Sequence, residues 1–356
     1  MEVAEAAEMG IRSVWPECEV VKVAVADGGE GTVEAIMASL GGRSVEITVN
    51  DPLMRPLRAC YCIAGDVAVM EMSAASGLPL LSPEERDPMS ASTFGTGEMI
   101  LDAVRRGCRR FLIGIGGSAT NDGGTGMLSA LGVRFLDSEG RVLSGTGENL
   151  SSISSIDLSG LDPAVAGSSF TVACDVDTPF CGREGAAAVF APQKGATPSQ
   201  VAVLDRGMQS FAELINDVLG TDISAMKGAG AAGGLGGAFH AFLGAELKTG
   251  VDMVLDAIAF DRLIAGSDLV ITGEGKIDFQ TVRGKTAYGV LRRAQRQGIP
   301  VAAICGRIEQ CPEVENMGFA CVDAVSGNLP LETAMRPEVA AANVAHAAET
   351  VLKRFL

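Results

Sequence analysis

RFLIGIGGSATNDGGTGMLSAL, Arg110 to Leu131, opens with an apolar strand over Arg110–Ile115, turns through a glycine-rich loop and runs on with helical spacing from Gly123. Strand, glycine-rich turn and helix in that order mark an α/β protein, whose ligands collect at the carboxyl ends of strands. The same rhythm recurs outward from it. Strands are expected at Glu19–Ala26, Phe170–Cys174, Asp268–Thr272, Pro300–Cys305 and Cys321–Val325. Helices are expected at Thr32–Leu40, Gly95–Arg106, Gly123–Leu131, Pro198–Leu219, Val251–Ala265 and Lys285–Gln297, where apolar residues recur every three or four positions. Ser44–Val49, Leu57–Ala64 and Val67–Met72 alternate polar and apolar residues around turn sequences and read as antiparallel hairpin strands. The simplest architecture has a parallel, doubly wound portion built from residues 1–42 and 262–356, with an inserted α/β domain, residues 43–261, carrying the hairpins.

Composition narrows the function. A chain of 356 residues buries a large core. Its 28 Lys plus Arg against 44 Asp plus Glu give a net charge of −16, which repels nucleic acid and anionic membranes. An anionic metabolite then needs a local concentration of backbone N–H groups, a few cations or a divalent metal. The start, MEVAEAAEMGIRSVW, lacks a basic region followed by an apolar one, and no apolar run reaches the roughly 18 residues of a membrane span, so a cytoplasmic protein is expected. Nine Cys without a Cys-x-x-Cys pair read as buried, reduced thiols, and two His leave little room for an imidazole-based hydrolase.

Four loops carry chemistry-bearing residues. VADGGEGT, Val25–Thr32, places Asp27 and Glu30 where a strand gives way to a helix, suited to holding Mg²⁺ or accepting a hydroxyl proton; a helix cap alone needs just one of them. In GIGGSATNDGGTGM, Gly114–Met127, the N–H groups of Gly116 and Gly117, with Ser118, Thr120 and Asn121, suit a phosphate. Gly114, Gly116 and Ala119 also meet the G-x-G-x-x-A spacing of a dinucleotide site, with Asp137 beyond, which keeps an NAD-dependent oxidoreductase as a rival. ACDVDTPFCGREGA sets Asp175 and Asp177 two apart on one face, fitting Mg²⁺, and Lys194 in PQKGA is a cation for phosphate oxygens. ITGEGKIDFQTVRGKT, Ile271–Thr286, crowds Glu274, Lys276, Asp278, Gln280 and Lys285 into one loop. Phe279 stands where a Walker A sequence ending at Thr286 requires glycine, so an ATP site here is not a P-loop. GAGAAGGLGG, Gly228–Gly237, lacks the Ser and charge of a solvated linker and is expected to be an ordered loop.

In order along the chain, VADGGEGT, the Asp51–Pro56 segment DPLMRP, GIGGSATNDGG, CDVD, PQKGA, GAGAAGG and TGEGKIDFQTVRGK resemble the bacterial-type glycerate kinases over essentially the whole length. The resemblance implies a flavodoxin-like domain with an inserted domain similar to restriction-endonuclease folds, and transfer of the γ-phosphoryl group of ATP, with Mg²⁺, to D-glycerate; whether the O2 or O3 hydroxyl is taken stays open. It implies that Asp27 and Glu30 belong to the active-site loop and Arg55 clamps the glycerate carboxylate, with Lys194 and Lys276 also on the substrate. Gly116–Asn121, Gly230, Gly233, Gly234 and Lys285 would cradle phosphates, and Asp175, Glu274 and Asp278 would serve Mg²⁺ or the attacking hydroxyl. Partners are then small molecules, and a homodimer is among the expected assemblies. Family chains also place a strand and a PDSFKGSL-like loop ahead of the helix that opens here near Glu2, which keeps an inactive, kinase-like binding protein as a second rival. Met54 stands where the family has glycine, and Lys276 where arginine is common.

Overall fold

The structure, a computed structural model, describes residues 2–26, 32–279, 281, 285–309, 311–327 and 329–356. It divides into two compact units, residues 28–253 and residues 1–27 with 254–356. The helix Thr32–Leu40 falls with the first of these because it packs on the hairpin strands.

The unit of residues 28–253 is built on a six-stranded mixed sheet. Strands β1 (Arg43–Asn50), β2 (Pro56–Ala64) and β3 (Val67–Glu71) form the expected antiparallel meander. Strand β4 (Arg110–Gly114) then pairs parallel with β3. The short β5 (Arg134–Leu136) and β6 (Ser155–Asp157) make a separate ribbon. Strands β7 (Ser169–Ala173) and β8 (Glu246–Lys248) extend the main sheet in parallel, giving the order β1-β2-β3-β4-β7-β8. Period-two alternation decides which face is buried. In β2, Ala59, Tyr61 and Ile63 point inward, and Tyr61 donates its hydroxyl to Asp102 at 2.6 Å. Cys60 therefore faces solvent. Only Cys108 and Cys305 are fully buried, so the expectation of buried thiols holds for two of the nine.

Cross-strand Phe111 and Phe170, in register on β4 and β7, stack at 4.8 Å, and Phe239 covers Phe170 from the helix Ala231–Leu243. The helix Pro198–Leu219 has the ends its sequence dictates. Thr197 and Gln200 make a reciprocal capping box before Pro198, and Gly220 closes it in the left-handed region.

The unit of residues 1–27 and 254–356 holds a three-stranded parallel sheet, β9 (Val270–Ile277), β10 (Val301–Ile308) and β11 (Cys321–Ala324), in the order β11-β10-β9. The helices Glu2–Val14 and Pro337–Phe355 pack together, and Ala302 and Ile304 join their shared core. The expected helix Val251–Ala265 is instead two, Gly250–Ala257 and Phe260–Leu263, because Ala259 adopts φ +52° and breaks the ladder. The expected strand Glu19–Ala26 is not formed: Glu19–Ala26 has no ladder partner among the described residues. A groove of about 680 Å³ runs beside it, lined also by Ile11, Leu269, Ile271 and Leu352. Among the described residues no helix is long and apolar enough to cross a membrane.

Candidate active site

In the larger unit three of the singled-out loops meet. Beyond β4 the backbone runs through Gly117, Gly123 and Gly124 at φ +73°, +61° and +77°, conformations that let successive N–H groups turn toward one side. The helix that follows covers only Thr125–Ala130, later and shorter than expected, so its dipole adds little and an anion here would depend on the loop's own N–H groups. It opens six residues past Ala119, whereas a dinucleotide fingerprint opens its helix within the glycine turn.

Asp122 organises this loop. Fully buried, it accepts from Thr93 N (2.8 Å), Thr93 Oγ1 (2.7 Å), Gly124 N (3.0 Å) and Gly126 N (3.2 Å). Burial pushes its carboxyl above the usual range while these donors oppose the rise. Lys194 lies underneath, donating to Ser118 Oγ and Thr120 O. The segment Gly228–Gly237 is ordered and packs against the loop. Gly230 N donates to Thr178 O at 3.0 Å, Gly123 N donates to Gly233 O at 3.0 Å, and Ala232, Gly233 and Gly234 all take positive φ before the helix continues.

Asp175 and Asp177 follow β7. One oxygen of Asp175 accepts from Gly250 N at 2.9 Å, while Asp177 is exposed and ion-paired with Lys227 at 3.0 Å. Among the described residues no cluster of three or more His, Cys, Asp or Glu is placed to enclose a metal. That donor set suits Mg²⁺, which takes one or two carboxylates and completes its shell with water and phosphate oxygens.

Arg55 sits at the end of the tight turn between β1 and β2. Asp51 Oδ1 accepts from Leu53 N and Arg55 N, and the guanidinium reaches Asp51 Oδ2 and Glu85 Oε1, both at 2.6 Å. The two carboxylates hold the Arg55 side chain at the rim and raise its pKa, Glu85 more strongly. The turn forces Met54 to φ +61° with its side chain about half exposed. Met54→Gly is therefore expected to raise stability by about 1 kcal/mol, by relieving left-handed strain, as read from the urea midpoint.

In the smaller unit, the carboxyl end of β9 gathers the expected charges. Asp278, buried, meets Lys276 Nζ at 3.3 Å and Lys285 Nζ at 3.2 Å, and Lys285 also lies 3.5 Å from Glu274. Burial raises the Glu274 carboxyl above its ordinary value against the pull of Lys285; its Oε1 also accepts from Ala287 N, 3.3 Å away in the first turn of the helix Thr286–Arg296. Lys276 is raised chiefly by Glu309, 2.7 Å away at the end of β10. Glu309 was not legible as a site residue, because it comes into range only through the parallel pairing of β9 with β10. Asp122 and Thr93 were missed too, although Asp122 opens the second DGG of the sequence. Asp27, Glu30 and Gln280 lie outside the described residues.

Glycine-rich loops, spaced carboxylates and a lysine-bridged carboxylate, each within its own unit, are the features a phosphotransferase uses. The model of the glycerate kinase family matches residues 1–356, and the chain belongs to that family. It is 47% identical over 338 residues to the glycerate kinase of Bacillus subtilis, covering 94% of this chain and 88% of that one. It is 46% identical over 309 residues to the glycerate 2-kinase of Escherichia coli, covering 86% and 81%. A crystal structure of a putative glycerate kinase 2 from Salmonella typhimurium is similar with a TM-score of 0.88 and 43% identity, over 99% of this chain and 93% of that chain.

Proposed function

We propose that this chain transfers the γ-phosphoryl group of ATP to a hydroxyl of D-glycerate. The hydroxyl oxygen bonds to the γ-phosphorus as the bond to the β,γ-bridging oxygen breaks; ADP leaves, and the hydroxyl proton passes to a carboxylate. The observation that carries this reading is the cluster at the end of β9, where Asp278 is fixed between two lysines beside a Glu274 made more basic by burial. Glu274 or Asp278 takes the hydroxyl proton. Lys276 meets the glycerate carboxylate and Lys285 the phosphate oxygens. In the larger unit, the family resemblance assigns phosphates to the loop Gly116–Asn121 with Gly230, Gly233 and Gly234 packed beside it, and the acid to Arg55.

Asp175 and Asp177 would hold Mg²⁺, which when bound neutralises phosphate charge. Asp27 and Glu30 are assigned to the same active site by the family resemblance alone. Stabilising charge and fixing geometry do most of the work in phosphoryl transfer, which is the chemistry these residue types supply. The fold reading carried with it is a flavodoxin-like domain with a restriction-endonuclease-like insert, in a cytoplasmic enzyme acting on free metabolites.

Incubation with MgATP and D-glycerate, followed by ³¹P NMR, tests the assignment and identifies the hydroxyl used. A single phosphoglycerate isomer appearing with ADP is the expected result. Hydrolysis of ATP without a phosphoglycerate signal, or reduction of added NAD by the acid, would overturn it.

A further inference from the structure

Lys194 ends the short turn Pro192–Lys194 and is 2% exposed. Its Nζ donates to Ser118 Oγ and Thr120 O, each at 2.6 Å, so the side chain is fastened to the inner side of the glycine-rich loop. On the same stretch Thr120 Oγ1 and Asn121 Oδ1 are buried without a hydrogen-bond partner. A buried polar atom left unsatisfied is destabilising; of the two, the Thr120 hydroxyl can donate to an anion, whereas Asn121 Oδ1 can only accept, so it is Thr120 beside the buried cation that an arriving anion would complete.

The charged groups around Lys194 do not neutralise it by direct contact. Asp122, on the loop, acts through its field while its carboxylate is spent on Thr93, Gly124 and Gly126. Asp87, on the segment whose Arg86 carbonyl abuts Gly195, is held by Met89 N, Ser90 and Gln200. Asp205, on the helix Pro198–Leu219, accepts from Gly182 N and Gln209. The helix Ala186–Phe190 carries no titratable group. Desolvation therefore dominates and pushes Lys194 down to about 7, so its proton is loosely held near neutral pH.

We propose that Lys194 is the positioning residue of the phosphate-gathering loop and that it takes up a proton from solvent when an anionic phosphoryl group settles there. The inference rests on the reading of Gly116–Asn121 as that loop. The arriving negative charge stabilises the ammonium. The ammonium in turn fixes Ser118 Oγ and the Thr120 carbonyl, and with them the direction of the neighbouring N–H groups. Without ligand the sign of the linkage is the reverse of an ion pair's: the unfolded chain holds the proton and the folded one does not, so stability rises as pH climbs from about 7 toward the ordinary lysine value.

The test is calorimetric titration of the full chain with ADP at pH 8, in buffers of different ionisation heat. At that pH ADP is already deprotonated, and the slope against ionisation heat reports protons taken up by the protein. The wild type is expected to take up close to one proton per ADP. Lys194→Met is expected to lose that uptake and about tenfold in ADP affinity while the D-glycerate KM stays within about twofold, and Lys194→Arg, always charged, to bind ADP without uptake. ADP binding by the wild type without proton uptake would overturn the proposal without recourse to any variant; so would a Lys194→Met protein with unchanged uptake. Binding with uptake but no turnover of D-glycerate would sink the assigned reaction and leave the role of Lys194 standing, whereas no ADP binding at all would overturn both.

Discussion

Asp278→Asn is expected to lower kcat with D-glycerate about a thousandfold, within the range for loss of a proton-accepting or charge-fixing carboxylate, while the urea midpoint moves little. Asp278 is buried, yet its lysine partners lie at the end of β9 and just before the helix Thr286–Arg296, one of them half-exposed. Asparagine keeps the size and an acceptor oxygen but cannot hold both ammonium groups or take a proton. Lys276 keeps Glu309 and Lys285 keeps Glu274 as partners, so the fold tolerates the change better than the chemistry does. Steady-state kinetics beside a denaturation curve separate the two. A loss of less than about threefold would remove Asp278 from the reacting set and leave Glu274 as the base.

Gly233→Ala is expected to destabilise the protein by about 3 kcal/mol, combining left-handed strain with a clash in a packed region. Gly233 has φ +69°, and a Cβ there would lie 2.1 Å from the Thr120 carbonyl oxygen and 2.6 Å from Asn121 Cα. Both are backbone atoms, which cannot step aside without moving the Gly116–Asn121 loop, to which the proposed function assigns phosphate. The KM for ATP should therefore rise about tenfold even in the folded fraction. Gly140→Ala supplies the control: its φ is +78°, but nothing lies within 4 Å of the added Cβ, so the cost there is strain alone, about 1 kcal/mol. Equal effects at the two positions would show that packing of the Ala231–Leu243 segment against the loop is not what confines the glycine.

Much of the fold was legible because the elements that matter are locally determined. The alternation in β1 and β2, the capping box at Thr197 with Gln200, and the apolar run ending at Gly114 each fix an element without help from distant residues. The misreadings share a cause. Glu19–Ala26 has strand composition, but a strand exists only as a pair, and composition does not supply the neighbour. The break at Ala259 is equally invisible, since alanine carries the strongest helical preference and adopts φ +52° there. The structure brings Glu274, Lys276, Asp278 and Lys285 together as their local spacing suggested. Glu309 and Thr93 were missed because each meets its partner across the fold, Glu309 with Lys276 thirty-three positions away and Thr93 with Asp122 twenty-nine away. Lys194 was read as a cation available to phosphate oxygens. Its burial beneath Ser118 and Thr120 depends on tertiary packing that its PQKGA neighbourhood does not encode.

A coupled ADP-release assay with MgATP and D-glycerate tests the central claim most directly. Release of ADP that requires D-glycerate, saturates with it and disappears when Mg²⁺ is chelated is the predicted result. A folded protein that releases no ADP above the rate without acceptor, across a range of D-glycerate concentrations, would contradict the account.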